Sequence, residues 1–415
     1  MISSEFLDWI AELPGIDAGA FRRAMSGPPV VSVKLNRRKA AEVTEIGYGA
    51  LEPVKWCSSG YYLDNRPNFT LNPLLHAGVF YVQDASSMIY ETVVSSLVDD
   101  GSVPACAAVL DMCAAPGGKT TSMINALRDG SLVVANEFVP QRASVLRENL
   151  LKWGYPDIVV TNSPTSRFAD LDGSFHIVAV DAPCSGEGMM RKDAKAVEQW
   201  SPALVRQCAS LQREILTDAV QCLLPGGFLI YSTCTFNRSE NEDQLLWLRD
   251  ELGMEIVDPR VAADAGILGS VCPQAPAMRF MPHATCGEGL FLGLLRKSGS
   301  LPVCADSKLR ERISKKTKVI LDGIPESVLK GKVEVPASES VLAAGYDRSR
   351  FPMAEVDGDT ALRYLRHETI VLGPDMPRGF VVVSYKGHPL GLVKNIGSRA
   401  NNLYPPAWRI RMQAR

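Results

Sequence analysis

The chain has 415 residues, of which 46% are hydrophobic and 22% charged, with a formal net charge of −2. That balance is ordinary for a globular protein of roughly two or three domains of about 150 residues, and it excludes a chain basic throughout, so a polyanion would have to meet a local patch. No apolar run approaches the roughly 20 residues that span a bilayer, and the ten cysteines contain no C-x-x-C pair, which argues against a metal site and against a disulfide framework.

Met1–Pro14 carries Glu5, Asp8 and Glu12 among apolar residues; this reads as a short amphipathic helix and not as a signal peptide. The cytoplasm, with reduced thiols, is the expected compartment, and a monomer without membrane attachment is expected. Helix-like segments at Phe6–Glu12 and Phe21–Ser26 precede a strand-like Val30–Asn36 and the basic cluster Arg37-Arg38-Lys39. Gly, Pro and Asn punctuate Gly47–Pro73, so residues 1–78 are expected to form a small α+β unit. From Asp84 the pattern changes. A helix running to about Val98 leads into strands at Val109–Met112, Leu132–Asn136, Ile158–Thr161, His176–Val180 and Gly227–Ser232. Helices at Thr120–Leu127, Gln141–Trp153, Pro202–Leu224 and Glu240–Leu252 alternate with them. Apolar strands between helices imply a mostly parallel, doubly wound α/β sheet over residues 79–298. A last strand pair is expected around Met254–Val257 and Leu290–Leu295. The basic stretch with Lys308, Arg310, Arg312, Lys315, Lys316 and Lys318 reads as a linker ending in a basic helix (299–334). Short strands at Thr369–Leu372, Gly379–Tyr385 and Pro389–Val393 place a small β-rich domain at 335–415.

In such a sheet ligands sit outside the carboxyl ends of the strands, which collects the chemistry on one rim. The first strand ends in Asp111 and the turn Cys113-Ala114-Ala115-Pro116-Gly117-Gly118-Lys119, the second in Glu137, the third in Asn162, the fourth in Asp181–Cys184 and the fifth in Thr233-Cys234-Thr235. Gly117 and Gly118 permit a tight turn against a ligand at a helix N-terminus. A P-loop fails because Cys113 stands where its first glycine belongs, and the dinucleotide G-x-G-x-x-G is absent. S-adenosylmethionine remains, with Glu137 placed for a ribose diol. Cys184 and Cys234 follow successive strands and are expected to face one cleft. A thiol beside a methyl donor points to nucleophilic catalysis on a carbon too electron-poor to take a methyl directly, such as C5 of cytosine or uracil.

The segments DMCAAPGGKT (111–120), DAPCSGEGMMRK (181–192) and STCT (232–235) resemble those of the Sun/Fmu-type RNA cytosine-5 methyltransferases, and VQDASSM (82–88) resembles the stretch before their catalytic domain. The outer segments GYYLDNRPNFTLNPLLHAG (60–78), FPMAEVDG (351–358) and LYPPAWRIR (403–411) are similar to the subgroup that modifies bacterial small-subunit rRNA. The resemblance implies a Rossmann-like methyltransferase domain between a ferredoxin-like N-terminal unit and a PUA-like RNA-binding unit. It implies that the backbone of Cys113–Lys119 and the side chain of Glu137 hold S-adenosylmethionine. Asp181 lies near the methyl donor and binds the cytosine edge. Cys234 is the implied nucleophile and Cys184 assists product release. Where members often carry an acid for the adenine, this chain has Asn162, whose amide is the expected substitute. The implied substrate is RNA with an opened or flipped base, small-subunit rRNA first and tRNA second. Arg191 and Lys192 are candidates for flanking phosphates, with Arg37–Lys39, the 308–318 run and the tail arginines as further grip. Two other readings share these residues: a DNA cytosine-5 methyltransferase, which would make Cys184 the nucleophile, and a non-catalytic RNA-binding factor.

Overall fold

The computed structural model describes residues 2–40, 42–49, 51–259, 265–303 and 306–412. Helices α1 (Ser4–Ala11) and α2 (Ala18–Met25) are each started by a side-chain cap, Ser3 accepting from the Phe6 N–H and Asp17 from the Ala20 N–H. Their apolar faces, Phe6, Ile10, Phe21 and Met25, do not cover the strands that follow. They bury against Met190, Trp200, Val205, Phe236 and Met281 of the larger unit.

Strands β1 (Val31–Leu35), β2 (Glu52–Val54), β3 (Cys57–Leu63) and β4 (Phe80–Val82), with α3 (Pro73–His76) before the last, form an antiparallel sheet in the order β2-β3-β1-β4. Asn36 fastens this sheet to its neighbour, its Nδ2 donating to the carbonyls of Gly78 at 2.9 Å and Trp153 at 2.8 Å.

The large sheet is built from β5 (Ala108–Asp111), β6 (Leu132–Asn136), β7 (Ile158–Thr161), β8 (Phe175–Asp181) and β9 (Leu223–Thr233), all parallel. Helices α4 (Ile89–Asp99), α5 (Gly118–Ala126), α6 (Pro140–Trp153), α7 (Ser166–Ala169), α8 (Ala194–Gln199), α9 (Pro202–Cys222) and α10 (Glu242–Leu252) lie between and beside these strands in the chain. The strands are apolar on both faces because both are covered, which is why they read as runs and not as alternations. Strands β10 (Glu255–Val257), β11 (Leu268–Gly269), β12 (Met278–Phe280) and β13 (Leu290–Arg296) extend one edge in antiparallel fashion, giving the order β11-β12-β13-β9-β8-β5-β6-β7-β14 with β10 on β13.

The last strand in that order lies within the expected linker, 299–334. Helix α11 (Leu309–Lys316) buries Leu309 and Ile313 completely, and β14 (Val319–Asp322) pairs antiparallel with β7. Two apolar residues at i, i+4 spacing give the helix a narrow buried stripe that the surrounding lysines mask in the composition.

Beyond it come the hairpin β15 (Ser327–Lys330) and β16 (Val333–Pro336), then β17 (Met353–Glu355), α12 (Gly358–Leu365), β18 (Gly379–Tyr385), β19 (His388–Asn395) and β20 (Ala400–Asn402), the last four strands forming one sheet in chain order. The expected strand at Thr369–Leu372 is reduced to one bridge, Ile370 to Ala400, because that backbone passes the sheet edge without running along it. One continuous buried cluster joins Val33 and Phe80 through Leu146 and Trp153 to Tyr364, Tyr404 and Trp408, so the three parts share a core. Among the described residues no helix is long and apolar enough to cross a membrane.

Candidate active site

The five parallel strands end on one rim, and the ends are tied together by Asn136 at the close of β6. Its Nδ2 donates to the carbonyls of Met112 (3.2 Å) and Ser163 (3.0 Å), its Oδ1 accepts from Thr161 Oγ1 (2.8 Å), and its carbonyl accepts from the Ala114 N–H (2.8 Å). The turn 113–119 then passes a cis Ala115–Pro116 peptide and Gly117, whose φ of 110° lies where a side chain is strained, and opens α5 at Gly118. Lys34 reaches into this helix start from β1, donating to Gly118 O at 3.0 Å, Thr121 Oγ1 at 2.9 Å and Ser122 Oγ at 2.6 Å. Burial pulls its pKa down to about 7, against the opposing pull of Glu91.

Glu137 is 4% exposed. Its Oε1 accepts from the Val139 N–H at 2.8 Å and its Oε2 faces Arg142 at 3.4 Å; Arg142 in turn donates to the Ala115 carbonyl at 2.9 Å. One guanidinium therefore links this carboxylate to the glycine turn. Asn162 follows β7 at the third strand end. Its Nδ2 donates to the carbonyls of Glu137 and Phe138, both at 2.8 Å, so the amide shapes the bend after β6 and is not a free donor. The bend leaves the Phe138 ring 65% exposed on the rim, an apolar surface beside Glu137.

Asp181, at the end of β8, pairs with Lys119 Nζ at 2.7 Å and accepts from Ser232 Oγ at 2.7 Å; Tyr90 OH stands behind, donating to Ser232 Oγ at 2.8 Å. Burial opposes the charge on Lys119, but the Asp181 carboxylate and the hydrogen bond to it outweigh that and raise its pKa. At the base of the turn, burial lifts the pKa of Asp111 to about 7, while a hydrogen bond from Thr120 Oγ1 (2.6 Å) pulls the other way.

Asp181 lies opposite Ser232 in the β8–β9 register, so the two strands run out together and their loops carry Cys184 and Cys234 side by side. The two Sγ atoms are 3.3 Å apart. The hydrogen bond between the two sulfurs, in which either can be the donor, and then burial push the Cys184 thiol above its ordinary pKa. The other cysteines are background. Burial raises the Cys57 and Cys208 thiols to about 11, and burial also pushes up Cys113.

Residues 105–296 match the 16S rRNA methyltransferase RsmB/F family, 2–85 the N-terminal domain of the 16S rRNA methyltransferase RsmF and 352–410 the methyltransferase RsmF PUA domain. Proteins named ribosomal RNA small subunit methyltransferase F are similar over nearly the whole chain. That of Cronobacter sakazakii is 30% identical, covering 96% of this chain and 95% of its own length. That of an Enterobacter species is 32% identical, covering 86% and 83%. The chain belongs to the RsmB/F family of 16S rRNA methyltransferases. Among solved structures, a methyltransferase homolog from Pyrococcus horikoshii (25% identity, TM-score 0.58) covers 71% of this chain and 95% of its own. NSun6 from the same organism, determined with SFG, an S-adenosylmethionine analogue (19% identity, TM-score 0.59), covers 72% and 99%. At that identity the second likeness speaks for the fold alone.

Several expected RNA contacts of this RsmB/F member are corrected by the structure. Arg191 is buried, its Nε 2.7 Å from Glu288 and its other nitrogens on the carbonyls of Ala24 and Gly287; Lys192 also faces Glu288, at 3.4 Å. A buried, paired guanidinium braces the loop and does not reach a phosphate. The cluster Arg37–Lys39 also makes contacts within the chain. Arg37 pairs with Glu91, Arg38 with Asp129 over the Tyr155 ring, and Lys39 donates to the carbonyls of Ala77 (2.8 Å) and Lys152 (2.7 Å), capping two helix ends. Within 308–318, Arg310 and Arg312 are engaged by Asp157, Asp322 and Asp306. Arg409 and Arg411 in the tail remain exposed. Tyr90, Arg142 and Lys34 also reach this rim and lie outside the quoted motifs, whereas Ser232 opens STCT. Only Lys34 leaves a sequence signal, a charge within the strand pattern VSVKL.

Proposed function

We propose that this chain methylates C5 of a cytosine in small-subunit rRNA, with S-adenosylmethionine as donor and a covalent Cys234–C6 adduct as intermediate. The observation that carries the reading is the thiol pair, 3.3 Å apart, beside a carboxylate fixed by Lys119 and Ser232 on the rim of a methyltransferase sheet.

The residues present suit the donor. The glycine turn brings backbone N–H groups of the α5 start toward an anionic carboxylate, Glu137 is a buried acceptor for ribose hydroxyls, and the exposed Phe138 ring offers a face to adenine. When bound, S-adenosylmethionine supplies an electrophilic methyl group to C5.

The chain's own residues prepare that carbon. Asp181 Oδ2 faces the cleft with Lys119 and accepts from the cytosine N4 amine, orienting the base. Cys184 Sγ stands 3.3 Å from Cys234 Sγ, and Cys234 attacks as the thiolate. The thiolate adds to C6, and the C5–C6 π pair moves to C5. After C5 has been substituted, its proton passes to solvent water, the C5–H electron pair re-forms the C5=C6 bond, and Cys234 Sγ leaves as the thiolate. Cys184 Sγ, 3.3 Å away, then stands beside the departing sulfur, which assigns it to release.

Methyl incorporation tests the reading. Tritiated methyl from S-adenosylmethionine is expected in under-modified 16S rRNA, with the site mapped by bisulfite sequencing, and Cys234→Ala is expected to abolish it. Incorporation into tRNA or DNA in preference to rRNA, or undiminished transfer by Cys234→Ala, would contradict it.

A further inference from the structure

The two thiol loops are held by two carboxylates that the chemistry above does not use. Glu187, three residues after Cys184, extends into the other loop: its Oε2 accepts from the backbone N–H groups of Phe236 (2.6 Å) and Asn237 (3.1 Å), and its Oε1 from Asn237 Nδ2 (2.8 Å) and Trp200 Nε1 (3.1 Å). Glu240, six residues after Cys234, extends back. Its Oε2 accepts from the Ser185 N–H (3.0 Å) and Gln212 Nε2 (2.8 Å), and its Oε1 from Asn237 Nδ2 (2.8 Å). Gln212 also donates to the Pro183 carbonyl at 3.1 Å, so both peptide neighbours of Cys184 are clamped. On the other side the Gly188 N–H donates to the Cys234 carbonyl at 2.7 Å, and a Cβ at Gly188 would stand 2.9 Å from that oxygen.

We propose that Glu187 and Glu240 are positioning residues that set the distance between the two thiols, each carboxylate gripping the backbone of the loop that carries the other's cysteine. Both are almost wholly buried. Among the described residues neither forms an ion pair with a lysine or arginine, and every partner named above is a donor. A buried carboxylate without a cation destabilises a fold by several kcal/mol unless hydrogen bonds offset it. A neutral side chain would close the loops more cheaply, so two such groups facing each other across Asn237 are explained by the geometry they enforce. The arrangement separates the two jobs. Glu187 braces the backbone just after Cys234, and Glu240 braces the backbone on either side of Cys184 through Ser185 and Gln212. A hydrogen bond to an ionised group contributes about 1.5–3 kcal/mol, and 1.4 kcal/mol is a factor of ten.

The assignment of attack to one loop and release to the other rests on the function proposed above; the distance between the thiols does not. The first readout is therefore made on the free protein. Dibromobimane, which fluoresces when it bridges two nearby thiols, is expected to cross-link wild type. That signal should vanish in Cys234→Ser and fall about tenfold or more in Glu187→Ala and in Glu240→Ala. The second is the covalent adduct with unmodified 16S rRNA. Glu240→Ala is expected to accumulate adduct as Cys184→Ala does, whereas Glu187→Ala is expected to form less of it at equal RNA affinity. A merely structural role would lower both steps together. If the alanine variants do not fold, Glu187→Gln and Glu240→Gln keep the shape while turning an NH2 toward donors, and they are read in the same way. Folded variants that cross-link like wild type overturn the proposal, and so do identical adduct levels in the two variants. Loss of cross-linking with no adduct in any variant, Cys184→Ala included, would instead overturn the catalytic reading.

Discussion

Asp181 is held so that one side stays open. Lys119 fixes one oxygen, Ser232 the other, and Tyr90 keeps the Ser232 hydroxyl turned toward the acid. Its side chain is still 30% exposed, and that open edge faces the cleft. Tyr90→Phe keeps the ring and removes only the outer link. Single-turnover methyl transfer is expected to slow about two- to tenfold, the worth of one net hydrogen bond, with cofactor affinity unchanged; an unaltered rate would remove Tyr90 from the chain. Asp111 carries a pH signature. Its folded pKa of about 7 lies above the ordinary aspartate value of about 3.9, so its contribution to stability is full below about pH 4 and is lost as pH rises through about 7. Asp111→Asn is expected to flatten that part of the stability curve in urea titrations; a curve parallel to wild type would refute the assignment. The residues legible in the sequence are those whose place follows from a strand ending, namely Asp181, Cys184, Cys234 and Glu137. Tyr90 and Lys34 come from elements before the sheet begins, and no spacing rule connects them to it.

At the scale of elements, the N-terminal sheet docks on the end of α6 through the smallest residue available. A Cβ at Gly78, where φ is 67°, would lie 1.7 Å from the Lys152 carbonyl, and the Asn36 amide donates to the backbone on both sides of that contact, at Gly78 and Trp153. Gly78→Ala must push the helix end away or distort the turn. A loss of about 2–4 kcal/mol in unfolding free energy is expected, in the range of overpacking with backbone shift; a loss below about 0.5 kcal/mol would show that the contact yields freely. The alternation of apolar strands and helices was readable because burial on both faces leaves continuous runs. The joining of β14 to β7 was not, because a four-residue strand after a lysine-rich helix carries too little apolar surface to stand out. The placement of α1 and α2 over Met190, Trp200 and Phe236 was also hidden, since an amphipathic face does not say which neighbour it covers.

Over the whole molecule the buried cluster runs without a break from the N-terminal sheet through the large sheet to the C-terminal one, and Lys152 of α6 stacks its ammonium 5.2 Å from the Trp408 ring centroid. Parts that share a core unfold together. Scanning calorimetry is expected to give a single transition, whereas a separate early transition for residues beyond 335 would show the C-terminal sheet to be independent. The near-neutral charge has its counterpart in the structure, where many of the basic residues singled out by the sequence are internally paired. The central claim is that Cys234 attacks and Cys184 releases. Its most direct test is intact-mass measurement of Cys184→Ala after incubation with S-adenosylmethionine and unmodified 16S rRNA, followed by nuclease digestion. The expected result is a protein carrying one cross-linked nucleotide fragment, which tandem mass spectrometry places on Cys234 and which Cys184→Ala/Cys234→Ala lacks. A fragment that survives in the double variant, or that maps to another residue, would contradict the account.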